Sequence, residues 1–145
     1  MQATKPGALF KPTLSTRFHI DYAWWEEHES SGLRSYILTH LPPEKREYFV
    51  QNEENRVVDF IDADTGEVRR LDELGQAIQE AATDPDFFNM QTSLVDCIFR
   101  VFLSNNNQPL TPGELAEISG RDARTILKTF SGMRVYKGVR PLPDA

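Results

Sequence analysis

A chain of 145 residues with 39% hydrophobic, 10% aromatic and 26% charged side chains fits one ordinary globular domain or two very small ones, with enough apolar residues for a real core. Its 22 acidic and 16 basic residues give a formal net charge of -6, which argues against a basic nucleic-acid coat, and its longest apolar run, Tyr22-Ala23-Trp24-Trp25, excludes a transmembrane helix of roughly 20 residues. A single cysteine, Cys97, excludes an intramolecular disulfide framework or a multi-cysteine zinc cage, and residues 1–11, MQATKPGALFK, lack the apolar core of a signal peptide; the expectation is a reduced, cytoplasmic protein.

Residues 1–16 mix Pro6, Gly7 and Pro12 with Ser, Thr and Lys and read as a mobile arm. Phe18-His19-Ile20-Asp21 alternates as a short strand does, and Asp21 then caps a helix through Tyr22, Trp24 and Trp25 to about Ser30. Residues 33–41 are compatible with helix or strand, and Pro42-Pro43-Glu44 opens a new helix, since proline is tolerated in a first turn. Val57, Phe60 and Val68 flank Asp64-Thr65-Gly66 in a β-hairpin, after which Asp72 caps a helix whose Leu74, Ala77, Ile78 and Ala81 share one face.

In the last third, Leu94, Cys97, Ile98, Val101 and Phe102 recur at the spacing of a buried helical stripe. Thr111-Pro112-Gly113-Glu114 is a capping box with proline at the first helical position, and the helix it opens, with Leu115, Ala116 and Ile118, stops at Ser119-Gly120. Another helix starts at Arg121 or Asp122, runs through Ala123, Ile126, Leu127 and Phe130, and ends on Gly132 as its C-terminal glycine. Residues 133–142 are extended, and Lys137-Gly138 turns a hairpin whose flanking strands are only a few residues each.

Residues 111–132, with Leu115, Ala116, Ile118, Ile126 and Leu127 as packing positions and Gly120 in the turn, resemble the helix-turn-helix or winged-helix superfamily over about the last third of the chain. The resemblance implies that the helix from Asp122 to Ser131 acts as a recognition helix in the major groove of DNA. The expected fold is therefore α+β: a flexible arm at 1–16, an acidic region at 17–89 with helices and a small antiparallel hairpin sheet, and a three-helix winged-helix-like module at 90–145.

Charge is divided unevenly along the chain. Residues 21–90 hold 17 acids and six bases, whereas residues 121–145 hold six bases, Arg121, Arg124, Lys128, Arg134, Lys137 and Arg140, and two acids. Arg121, Arg124 and Lys128 are spaced three and four apart, so one helix face carries all three, and the six cations form a candidate phosphate-binding patch. Arg124 and Thr125, in the first turn, are the candidates for base edges. The acidic remainder would repel non-specific DNA and orient the basic end towards a duplex.

Other constellations carry less. His19, Asp21, His28 and His40 are the only set resembling metal ligands, but their spacing matches no motif and ordinary surface or half-buried histidines account for them. Asp59, Asp62, Asp64 and Glu67 sit where a calcium loop would need its glycine one residue later, so a turn fits better. Cys97 lies in an apolar stripe and reads as a buried, inert thiol. Of Trp24 and Trp25, one anchors the N-terminal core and the other, partly exposed, marks an interface for a homodimer or protein partner. The expected function is non-enzymatic binding of double-stranded DNA, as in transcription regulation, without a cofactor; the alternative is an assembly subunit that docks proteins through the same module. A small metal-dependent enzyme is a distant third.

Overall fold

The computed structural model describes residues 11–28, 32–51, 57–61, 68–88 and 92–142. The chain forms two compact units, one of residues 1–30 with 88–145 and the other of residues 31–87. The expected arm at 1–16 is described only from Lys11, where Thr13 and Thr16 close a small turn.

The discontinuous unit is built on four helices and a short sheet. Strand β1 (Arg17–Ile20) buries Phe18 and Ile20 on one side, and helix α1 (Tyr22–His28) follows with Asp21 accepting from the Ala23 amide. Helices α5 (Leu94–Ser104), α6 (Pro112–Ser119) and α7 (Ala123–Phe130) come from the last third, and strand β4 (Val139–Leu142) closes the unit. Ile98, Phe99, Phe102, Leu115 and Ile126 are fully buried with Phe18 and Trp25, each worth roughly 1.5–3 kcal/mol over exposure.

Residues 17–28 therefore depart from the expected 17–89 region and join the C-terminal helices. The reason lies in where their apolar groups find partners: the Trp25 ring packs edge-on against Phe99 of α5, and its indole N–H donates to the Lys137 carbonyl. β1 pairs antiparallel with β4 in the register His19↔Arg140 and Ile20↔Val139. On its other side Phe18 exchanges both backbone hydrogen bonds with Leu110, and the Asn107 side chain bonds the Ile20 N–H and C=O, each at 2.8 Å, as a strand residue would.

The hairpin expected at Lys137-Gly138 exists as a turn with a single bridge, Tyr136↔Val139. Lys137 (φ 55°) and Gly138 (φ 79°) both take positive φ, the requirement of a type I′ turn. The strand lying beside β4 is β1, so the complete wing of the expected module is not confirmed. Gly138 has a second constraint: a Cβ there would fall 2.8 Å from the Trp25 indole nitrogen. Gly132 is not the helix-ending glycine that was expected. Ser131 caps α7, its amide donating to the Leu127 carbonyl at 3.0 Å, and Gly132 is not among the positive-φ glycines of the described chain.

The second unit contains helices α2 (Gly32–Leu38), α3 (Pro43–Gln51) and α4 (Glu73–Ala81), a hairpin of β2 (Val57–Ile61) and β3 (Val68–Asp72), and a 3-10 turn at Pro85–Phe88 on its boundary. The ambiguous stretch 33–41 is helical as far as Leu38 and then turns, and its carbonyl end is stopped by Arg46, whose guanidinium donates to the Leu38, Thr39 and Leu41 carbonyls. The hairpin pairs Val57 with Asp72 and Ile61 with Val68, as its strand pattern requires, while the expected turn at 62–66 lies outside the described residues. Leu38, Leu41, Phe49, Leu74 and Ile78 are buried. Both units mix helices with a two-stranded antiparallel sheet, which is the α+β class. Among the described residues no helix is long and apolar enough to cross a membrane.

Charge also divides between these units, though less sharply than along the sequence. Residues 31–87 hold 13 acids and six bases, a balance of -7, whereas the discontinuous unit holds ten bases and nine acids, +1.

Candidate nucleic-acid interface

The α6–α7 pair is fixed locally at each end. The Thr111 hydroxyl accepts from the Glu114 amide at 3.2 Å while the Glu114 carboxylate accepts from the Thr111 amide at 2.8 Å, so both halves of the capping box are made. Gly120 (φ 74°) closes α6 in the left-handed region and sends its amide to the Ala116 carbonyl. Asp122 then caps α7, accepting from both the amide and the hydroxyl of Thr125 at 2.9 Å. The Thr125 amide, followed by the Thr125 hydroxyl, holds the Asp122 carboxyl below its ordinary pKa, so this fully exposed cap stays anionic at neutral pH.

Because the helix begins after Asp122, Arg121 stands outside it and does not share the face of Arg124 and Lys128. Its guanidinium turns inward and donates to the Thr92 carbonyl just ahead of α5, where Arg100 also reaches the Thr92 hydroxyl at 3.4 Å. Arg140 is likewise engaged, in an ion pair with Asp21 at 3.3 Å that ties β4 to the β1–α1 junction. Arg121 thus serves the fold, whereas Arg140 serves it and still leaves 43% of its side chain exposed. Thr125, exposed in the first turn, gives its amide and its hydroxyl proton to the Asp122 cap.

What remains outward is narrower than the six-cation patch. Arg124 and Lys128 are exposed one turn apart on α7, opposite the buried Ile126 and Phe130. Arg134, also exposed, lies with its guanidinium 5.1 Å above the Tyr136 ring, and Tyr136 meets the edge of Phe130. Lys137 is half-buried at the turn, its carbonyl held by Trp25.

Trp25 is the one of the two that is buried and anchors the core; Trp24 is half-buried, stacked on His28 with ring centroids 4.8 Å apart. The histidines do not assemble. His28 Nδ1 lies 2.9 Å from the Trp24 carbonyl, His40 is buried edge-on to Tyr36 in the other unit, and His19 sits on β1, where burial lowers its pKa and Arg140 lowers it further against the opposing pull of Asp21. Among the described residues no three His, Cys, Asp or Glu side chains could hold a metal ion. The 62–67 portion of the acidic cluster and the Asp59 side chain lie outside the described residues. Burial pushes the Cys97 thiol above its ordinary pKa, with Arg121 and Arg100 opposing, and the thiol points to the Phe88 carbonyl.

Sequence reasoning missed Thr92 as a structural acceptor and Asn107, whose side-chain amide both accepts from and donates to the Ile20 backbone. The Arg121 contact had one readable sign, the glycine–arginine–aspartate order, which puts the arginine between a helix-ending glycine and the next cap. No family model, curated protein or solved structure matches the chain.

Proposed function

We propose that the protein binds double-stranded DNA without enzymatic activity, in the manner of a transcription regulator, with α6 and α7 acting as a helix-turn-helix and α7 lying against the duplex. The observation that carries this reading is the pair Arg124 and Lys128, exposed one turn apart on the outward face of the second helix, while Arg121 turns into the fold and Arg140 pairs with Asp21. Arg134 extends the cationic face, and no acidic residue occurs from 123 to 143. The near-neutral charge of this unit beside the -7 of residues 31–87 supports approach of a polyanion through the α7 face alone.

The test is the double substitution Arg124→Ala and Lys128→Ala, measured by fluorescence anisotropy on a pool of random duplexes at low salt. Each lost phosphate contact weakens binding across all sequences, so affinity falls at least about tenfold while the thermal midpoint stays put. Unchanged affinity refutes the proposal. A second reading, docking of a protein partner by the same helix pair, is favoured by Ile118, which is exposed on α6. Salt separates the two, because phosphate contacts weaken steeply as it is added and an apolar contact does not.

A further inference from the structure

Met133 is the one large apolar side chain of the described residues that is fully exposed; Ile118, Leu14 and Tyr22 in the same unit each keep about half of their surface covered. It stands on a short segment held at both ends. Before it, the Ser131 amide closes α7 on the Leu127 carbonyl; after it, Arg134 lies over Tyr136, which is packed on the buried Phe130 and accepts from the Val139 amide at 3.0 Å. Lys128, Arg134 and Lys137 all fall within five residues of it.

An apolar tip flanked along the chain by cations has few uses on a polyanion. The cations take phosphate oxygens, while a thioether gains nothing from phosphate. A duplex offers apolar surface in two places, the stacked faces of its bases and the thymine methyl groups in the major groove. An unbranched methionine has the slimness and flexibility to enter between base pairs. We infer that Met133 is a wedge that inserts into the base stack of a duplex held by Lys128 and Arg134, and that the protein accordingly prefers DNA whose stack is already broken. This rests on the DNA-binding reading. Insertion into intact DNA carries the cost of unstacking, whereas a mismatched site has already lost that stacking.

The full chain is titrated by anisotropy against a paired duplex and the same duplex with a central tandem mismatch. The mismatched duplex is expected to bind about tenfold tighter, the cost of one partly unstacked step being removed. Met133→Gln, at an exposed position that leaves the fold intact, reduces that preference below about twofold while changing paired-duplex binding by less than about threefold, and Met133→Leu retains the preference. Equal binding of the two duplexes by the wild type, or an undiminished preference in Met133→Gln, overturns the wedge and leaves the DNA reading standing. A loss on replacing thymine by uracil that disappears in Met133→Gln overturns it in favour of a methyl contact; binding to phosphatidylserine vesicles that Met133→Gln abolishes overturns it in favour of a lipid surface. Absence of binding to every duplex removes the DNA reading itself.

Discussion

Replacing Arg121 by alanine separates a cation that holds the fold from a cation that meets a ligand. The Arg121 guanidinium donates to the Thr92 carbonyl and is only partly open to solvent, so its removal deletes a charge-assisted hydrogen bond and leaves that carbonyl without this donor. Bonds of this kind contribute about 1.5–3 kcal/mol, so Arg121→Ala should cost about 2 kcal/mol. At the scale of a domain of this size that is a drop of roughly 4–8 °C in thermal midpoint. Arg124→Ala removes the same charge from an exposed position on α7, and its effect on stability should stay within about 0.5 kcal/mol. Calorimetry on the two variants, with duplex titration well below both midpoints, gives opposite patterns: the first loses stability and keeps its affinity, and the second does the reverse. Equal stability of the two variants, or an affinity loss in Arg121→Ala matching that of Arg124→Ala, refutes the assignment.

Three further expectations follow from local geometry. Gly138→Ala places a Cβ 2.8 Å from the nitrogen of a buried, hydrogen-bonded indole and at φ 79°, and urea titration should show a loss of roughly 2–4 kcal/mol; a loss under about 1 kcal/mol would contradict the Trp25–Lys137 lock. Because the folded-state pKa of Asp122 is depressed, its contribution is present above the ordinary value of 3.8 and is lost as pH falls through the lower, folded value. The stability gap between wild type and Asp122→Ala should therefore close as the medium is acidified below that value, and a gap that holds constant into strong acid would exclude the cap. Cys97, buried and with a raised pKa, should react with a thiol reagent only as fast as the protein opens, so rapid native-state labelling would contradict its placement.

How much was legible follows the range of the interactions. The capping box at Thr111, the helix stop at Gly120 and the new helix start at residues 121–122 are decided within four residues, and each stands in the structure as its sequence pattern implies. The alternation in Phe18-His19-Ile20 likewise marked a strand, but nothing within it named β4 as its partner, 119 residues away along the Ile20–Val139 pair. The division into units was hidden for the same reason, because Trp25 finds Phe99 and Lys137 across an intervening unit of residues 31–87. The candidate site shows the same split. Helical spacing placed Arg124 and Lys128 together, whereas the inward turn of Arg121 and the Asp21 pairing of Arg140 depend on contacts no local pattern contains.

The number of cations left outward makes the DNA reading quantitative. With Arg124, Lys128 and Arg134 on phosphates, the logarithm of the affinity should fall with the logarithm of salt at a slope of about -3, a loss of about 60-fold from about 50 to about 200 mM, against a slope of about -5 if all six C-terminal cations took part. Anisotropy titrations of a random duplex across that range test the claim most directly. A slope near -3 that shrinks by about two in the Arg124→Ala, Lys128→Ala protein is the predicted result, and a flat salt dependence, or no binding at the lowest salt, would contradict it.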